Sequence, residues 1–308
     1  MTSFFIGTCG YSYPGAPPNG WSGVFYPNLG RGRVDVLEFY AAHFNCVEIN
    51  STFYRPASAA MARGWLGKTP GDFMFTAKAW QKFTHPNELG RDGGAAGAKW
   101  SAFDAGDVAR FADGIAPLVE AGRLGALLFQ YPASFVRDGA SLERLEAALA
   151  SFPAVAKVVE LRDKSWSDRR AETEGLLDRY KATWAFIDEP KFGSSVKQEL
   201  AGGGELNYLR LHGRNQEKWW RHDNPWQRYD YIYQPENIYR LAAKLKQING
   251  QKPQAKAYVF FNNHARGQAV ANALMLKLAL GLKDGAGAPE SLVATFPLLK
   301  DFPEAKQN

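Results

Sequence analysis

The 308-residue chain holds only two cysteines, Cys9 and Cys46, which excludes a disulfide-stapled scaffold and fits a reducing compartment such as the cytoplasm. Its most apolar stretch, Ala273 to Leu282, is short and contains Lys277, so no membrane span is expected. Residues 1–25 lack a basic start and a long apolar run, so no signal peptide is expected either. Five histidines (His43, His85, His212, His222 and His264) form neither H-E-x-x-H nor a closely spaced pair. The first strand candidate leads into Gly7-Thr8-Cys9-Gly10-Tyr11, not the G-x-G-x-x-G turn of an open dinucleotide-binding sheet. No G-x-S-x-G nucleophile elbow occurs. Acidic side chains are missing from Asn237 to Lys283, a stretch holding eight Lys or Arg.

What is present is the balance of a soluble globular protein: 45% apolar and 22% charged residues, with a net charge of +6. Residues 1–150 carry 13 basic and 13 acidic side chains, so the excess lies in the second half. That excess permits an anionic partner, either through a basic surface that includes Arg240–Arg266 or as the solvated faces of two helices.

Eight short β-type runs alternate with helical patterns. The runs are Phe4–Cys9, Cys46–Asn50, Phe73–Lys78, Gly125–Gln130, Lys157–Arg162, Thr183–Asp188, Leu206–His212 and Ala257–Asn263. Most are continuously apolar, as strands covered on both faces are. Helices are expected at Val34–Phe44, Ser58–Leu66, Val108–Ala121, Leu142–Ala150, Arg170–Tyr180, Ser194–Leu200, Pro235–Ile248 and Gln268–Leu282, with Asp107 and Ser141 as N-caps. Eight β/α units point to an α/β fold, a single (β/α)8 TIM-type barrel spanning residues 1–308 as one domain. Long loops at residues 10–33, 81–106 and 213–234 each follow a strand and so belong on the C-terminal rim; Gly93–Gly97 in the second is a candidate lid.

The strand ends are polar, and side chains two apart share a face. Glu48 with Asn50, Glu160 with Arg162, and Arg210 with His212 therefore point one way, into the barrel mouth, while Val47, Ile49, Leu161 and Leu211 meet the helices. Lys78, Gln130, Asp188, Asn262 and Asn263 end the other strands. Such a set either forms a salt-bridge lattice plugging the barrel or lines a binding pocket.

The same segments resemble a known family. Gly7-Thr8-Cys9-Gly10-Tyr11, Val47-Glu48-Ile49-Asn50-Ser51-Thr52-Phe53-Tyr54, Phe73 to Lys78 with Thr84-His85, Leu128-Phe129-Gln130-Tyr131-Pro132, Glu160-Leu161-Arg162 with Ser165-Trp166, Leu209 to Gly213 and Phe260 to Asn263 are similar to blocks of the YecE-like family, domain of unknown function 72. The resemblance runs from Gly7 to about Leu282 and implies a TIM-barrel fold. Its fold-level likeness to endonuclease IV and xylose isomerase barrels implies nucleic-acid binding by analogy alone. Cys9 and Tyr11 stand where the family usually has Ser and Trp.

The inventory suits an anion. Lys78, Arg162 and Arg210 are expected to bind phosphate or carboxylate, with Asn50, Gln130, Asn262 and Asn263 reading polar groups. His212 is expected to move a proton and Glu48 to orient water, with Glu160 and Asp188 as further carboxylates for acid–base work. Trp219 and Trp220, interleaved with Arg214, Lys218, Arg221 and Arg228, are expected to stack on a base, and Tyr11 to form the opposite wall. Glu48, Glu160, Asp188 and His212 could hold a divalent metal, but three cations entering the same mouth argue against it, and no cofactor is called for. The expected partner is a phosphate-bearing ligand, nucleic acid or nucleotide, with hydrolysis as the reaction class. A small sugar or sugar acid, or non-catalytic nucleic-acid binding, are the alternatives.

Overall fold

The computed structural model describes residues 3–28, 34–86, 100, 102–202, 204–252 and 254–302. The Gly93–Gly97 lid expectation lies outside the described residues. Among these residues nine strands run in parallel: β1 (Ser3–Thr8), β2 (Cys46–Ile49), β3 (Met74–Lys78), β4 (Leu124–Gln130), β5 (Lys157–Glu160), β6 (Ala182–Trp184), β7 (Phe186–Asp188), β8 (Leu206–Leu211) and β9 (Lys256–Phe261). They form a five-stranded sheet, β2-β3-β4-β5-β6, and a four-stranded sheet, β1-β9-β8-β7. All eight expected strands are present, the sixth split in two at Ala185.

The ladder is not one continuous ring, and the residues at its two seams show why. Between β1 and β2, the Tyr40 hydroxyl accepts from Thr8 N at 2.8 Å and donates to Cys46 O at 3.2 Å. Asn45 takes Ile6 N and Phe4 O with its amide. Side chains thus occupy ladder groups, and backbone pairing is left to the Cys9–Glu48 bridge, with Gly10 N donating to Glu48 O at 2.9 Å. Gly7 is required here, because a Cβ would sit 2.3 Å from Cys46 O. At the second seam, Ala185 N still pairs with Val159 O on β5, whereas Phe186 onward pairs with β8. The Gln198 amide clamps this step, donating to Ala185 O and accepting from Ile187 N.

Gln198 lies in the segment expected as a helix from Ser194 to Leu200. That helix does not form. The segment instead bonds the loop after β5, through Lys164 N to Ser194 O at 2.8 Å and Val196 N to Arg162 O at 2.7 Å. Two N-caps also differ. Asp104, in a capping box with Asp107, caps the helix Ala105–Glu120, and Asp138 caps Gly139–Ala150. Each helix begins earlier than its apolar pattern does.

Alternation sorts the strand residues. Val47, Ile49, Leu209, Leu211, Val259 and Phe261 pack in a core with Ile238 and Leu245 of the helix Pro235–Gln251 and Leu274 and Leu276 of Gln268–Leu280. Their neighbours Cys46, Leu128, Val158, Tyr208, Tyr258 and Phe260, from both sheets, form a separate apolar layer with Cys9. Above that layer come the charged residues. No helix among the described residues is long and apolar enough to cross a membrane.

Candidate functional site

Two residues beyond the apolar layer, Glu48, Glu160 and Arg210 meet. All three are buried. Arg210 Nε and Nη2 grip Glu48 Oε2 and Oε1 at 2.9 and 2.7 Å. Its Nη1 reaches Glu160 Oε2 at 2.5 Å and Gln130 Oε1 at 3.3 Å, and its Nη2 also reaches Cys9 Sγ at 3.5 Å. All five guanidinium N–H groups are spent within the protein. Tyr208 adds a hydroxyl to Glu48 Oε2 at 2.8 Å. Burial works against ionising Glu160, but Arg210 and Arg162 outweigh it and hold the carboxyl well below its ordinary range. Burial, then Glu48, push the Cys9 thiol up, so it is no nucleophile.

Arg162 lies one step higher. Its Nε and Nη2 hold Glu160 Oε1 at 2.7 and 2.6 Å, and Nη1 lies 3.3 Å from Glu189 Oε2. His212 sits beside it, fully buried, with Nε2 3.3 Å from Arg162 Nη2 and Nδ1 2.9 Å from Asn262 Nδ2. Burial drives the His212 imidazole down to about 3. It is a neutral support for Arg162.

Over this layer opens a cavity of about 1050 Å³. Of the sequence-predicted residues, Asn50, Lys78, Gln130, Arg162, Arg210, Asn262, Tyr11, Trp219 and Trp220 line it. Glu48, Glu160 and His212 converge beneath it and do not line it. Asp188 and Asn263 are not brought to it. Asp188 pairs with Arg214 on the rim, Oδ2 to Nη2 at 2.9 Å. Asn263 turns to Tyr231 O and Asn272 Oδ1. β9 ends at Phe261, and past that point two consecutive asparagines cannot both face inward.

Lys78, at the end of β3, is the unusual cation. Thr52 Oγ1 anchors its carbonyl at 2.7 Å. Its Nζ stands 3.8 Å from the centroid of the Phe53 ring. Among the described residues no hydrogen bond or ion pair reaches that amine. Burial, then Arg210, lower it to about 7, despite the pull of Glu48 and Glu160. His85 meets Phe53 edge-on at 4.7 Å and is held down to about 3, by burial first and Lys78 second. Asn50 Oδ1 is a buried acceptor with no partner among the described residues.

The aromatic loop forms the roof. Trp219 is 2% exposed and Trp220 55%, so only the second offers a free face. Arg228 lies against both rings and donates to Trp219 O at 2.8 Å. Opposite, Tyr13 stacks on Trp21 and on His264, which Tyr229 also meets. No group of three or more His, Cys, Asp or Glu among the described residues is placed to hold a metal.

Sequence reasoning missed His85, Phe53, His264 and Glu189. The first two stand on short helical turns after strands, where strand parity says nothing. Glu189 was legible: it is an even step from the inward-facing Ala185, whereas Asp188 is an odd one.

The description "Protein of unknown function DUF72" matches residues 5–293. A Bacillus subtilis (strain 168) relative, "UPF0759 protein YunF", is 28% identical over 265 residues, covering 83% of this chain and 90% of its own. A DUF72 family structure from Thermotoga maritima aligns with a TM-score of 0.72 at 32% identity, over 89% of this chain and 98% of that one. One from Enterococcus faecalis V583 gives 0.75 at 22% identity, over 93% and 98%, a likeness of fold.

Proposed function

The chain belongs to the DUF72 family, and from the geometry of its own mouth we propose that it binds a small phosphate-bearing ligand of nucleotide size. The reading takes the two sheets as one eight-stranded barrel, closed at its seams by Asn45, Tyr40 and Gln198. Supporting closure, Arg210 of one sheet holds Glu48 and Glu160 of the other. Two buried free thiols fit a cytoplasmic setting.

One observation carries the ligand reading. The carboxylates are consumed below the cavity, while the cations Lys78, Arg162 and Arg228 line it. The outer edge of Arg162 and the guanidinium of Arg228 take the anion, and Asn50 and Asn262 read neighbouring polar groups. Trp220 offers a ring face at the rim. A nucleotide fits better than a long nucleic acid, because Arg214 on the loop and Arg266 on the turn after β9 are already paired with Asp188 and Asp230. Proton transfer falls to Lys78, which lines the cavity and is lowered to about 7, rather than to His212, buried beneath it.

The test is a tryptophan-fluorescence titration with inorganic phosphate, nucleoside monophosphates and short oligonucleotides across salt. Mononucleotides should saturate the site, with a log–log salt slope of about one to two. Arg162→Gln should weaken binding by about 1.5–3 kcal/mol, the worth of a hydrogen bond to a charged group. Tight binding of neutral sugars with no response to salt or to Arg162→Gln would refute the assignment.

A further inference from the structure

Three features of the Lys78 surroundings are unlike those of an anion hook. The amine has no acceptor among the described residues, although two carboxylates lie close enough to act on its charge. Arg210 takes both carboxylates and, with Arg162, opposes a third positive charge. The amine rests on the face of Phe53, and the same ring carries a neutral imidazole, His85, on its edge. A desolvated lysine beside other cations, in an open cavity, is the arrangement that makes an amine nucleophilic.

We propose that Lys78 forms an imine with the aldehyde or ketone of a small substrate that also carries a phosphate or carboxylate. The Nζ lone pair bonds to the carbonyl carbon, and the C=O π pair moves to oxygen, which takes a proton. Nitrogen then loses its protons and the oxygen leaves as water, giving C=N with no change in oxidation level. Water entering the open cavity exchanges these protons, beside the neutral His85. Arg162 and Arg228 take the anionic group, and the unpartnered Asn50 Oδ1 accepts from a substrate hydroxyl. The proposal rests on the preceding reading for the substrate's charge, but not for the condensation. With its amine lowered to about 7, Lys78 has a free-base fraction at neutral pH about a thousandfold that of an ordinary lysine.

The test uses the full chain and pyridoxal 5′-phosphate, an aldehyde bearing a phosphate. Borohydride supplies the hydride that reduces any C=N, and peptide mass spectrometry maps the adduct. At pH 7, Lys78 should be labelled at least about tenfold faster than the exposed Lys197. Its rate should fall as pH drops below about 7, and inorganic phosphate should slow it. Lys78→Arg should lose this adduct with unchanged circular dichroism. Labelling of Lys78 no faster than that of Lys197 overturns the proposal. If calorimetry then still finds phosphate bound, the anion-site reading stands without the imine. If uncharged pyridoxal labels Lys78 as fast as its phosphate, with no competition, the imine stands and the anion reading falls.

Discussion

Lys78 and Lys277 are both largely shielded lysines, and burial lowers the basicity of both. They differ in what meets the ammonium. Lys277 Nζ donates to His43 O at 2.6 Å and Asp284 O at 2.7 Å, and so ties the helix Gln268–Leu280 to the end of the helix Val36–His43 and to the loop at Asp284. Lys78 Nζ meets a ring face and an open cavity. A buried polar group with its partners in the chain belongs to the fold, whereas one without them is waiting for a ligand. The arginines divide the same way: Arg210 is saturated, whereas Arg162 lines the cavity and its Nη1 has one contact among the described residues, Glu189 at 3.3 Å.

Substitutions should separate the two classes. The largest effect is expected from Arg210→Met, which strands Glu48 and leaves Glu160 to Arg162 alone. Urea denaturation should show a loss of about 3–5 kcal/mol. Next comes Lys277→Met, which frees the buried His43 carbonyl and the part-buried Asp284 carbonyl and should cost about 1–3 kcal/mol. Lys78→Met should not lower stability, because it removes an ammonium that burial disfavours, while abolishing imine trapping. Equal losses in the two lysine variants would erase the distinction.

A pH series sharpens it. Above about 7 the folded Lys78 releases its proton, whereas in the unfolded chain the lysine keeps it until about 10. The unfolded chain then binds more protons, so Lys78 makes stability rise with pH from about 7. Comparing wild type with Lys78→Met between about pH 7 and 8, below the ordinary thiol range, should show a steeper rise in wild type. The smallest effect belongs to Trp220→Ala. Stability should stay within about 0.5 kcal/mol, and a bound base should lose about 1–3 kcal/mol of stacking.

The sequence made much of this legible, through parity. Inward residues step by two, from Tyr208 to Arg210 to His212 and from Val158 to Glu160 to Arg162, and each lies where alternation puts it. Parity could not say which charges cancel, because that depends on which strands face each other across the interior. It placed Glu48 and Glu160 in the mouth, but not beneath a guanidinium that spends both. It also fails where a strand ends, as at Asn263. The expected proton carrier, His212, was set aside by burial, which strand spacing does not reveal.

The stitched seam between β1 and β2 has a meaning in time. On a growing chain β1 emerges before the other described strands, yet its ladder partner among them, β9, is not made until residues 256–261. For most of synthesis that strand is an unpaired edge, open to wrong pairing. Asn45 and Tyr40, only 32 to 41 residues away, can take Phe4, Ile6 and Thr8 as soon as β2 appears. Side chains thus guard the first strand until the last one arrives.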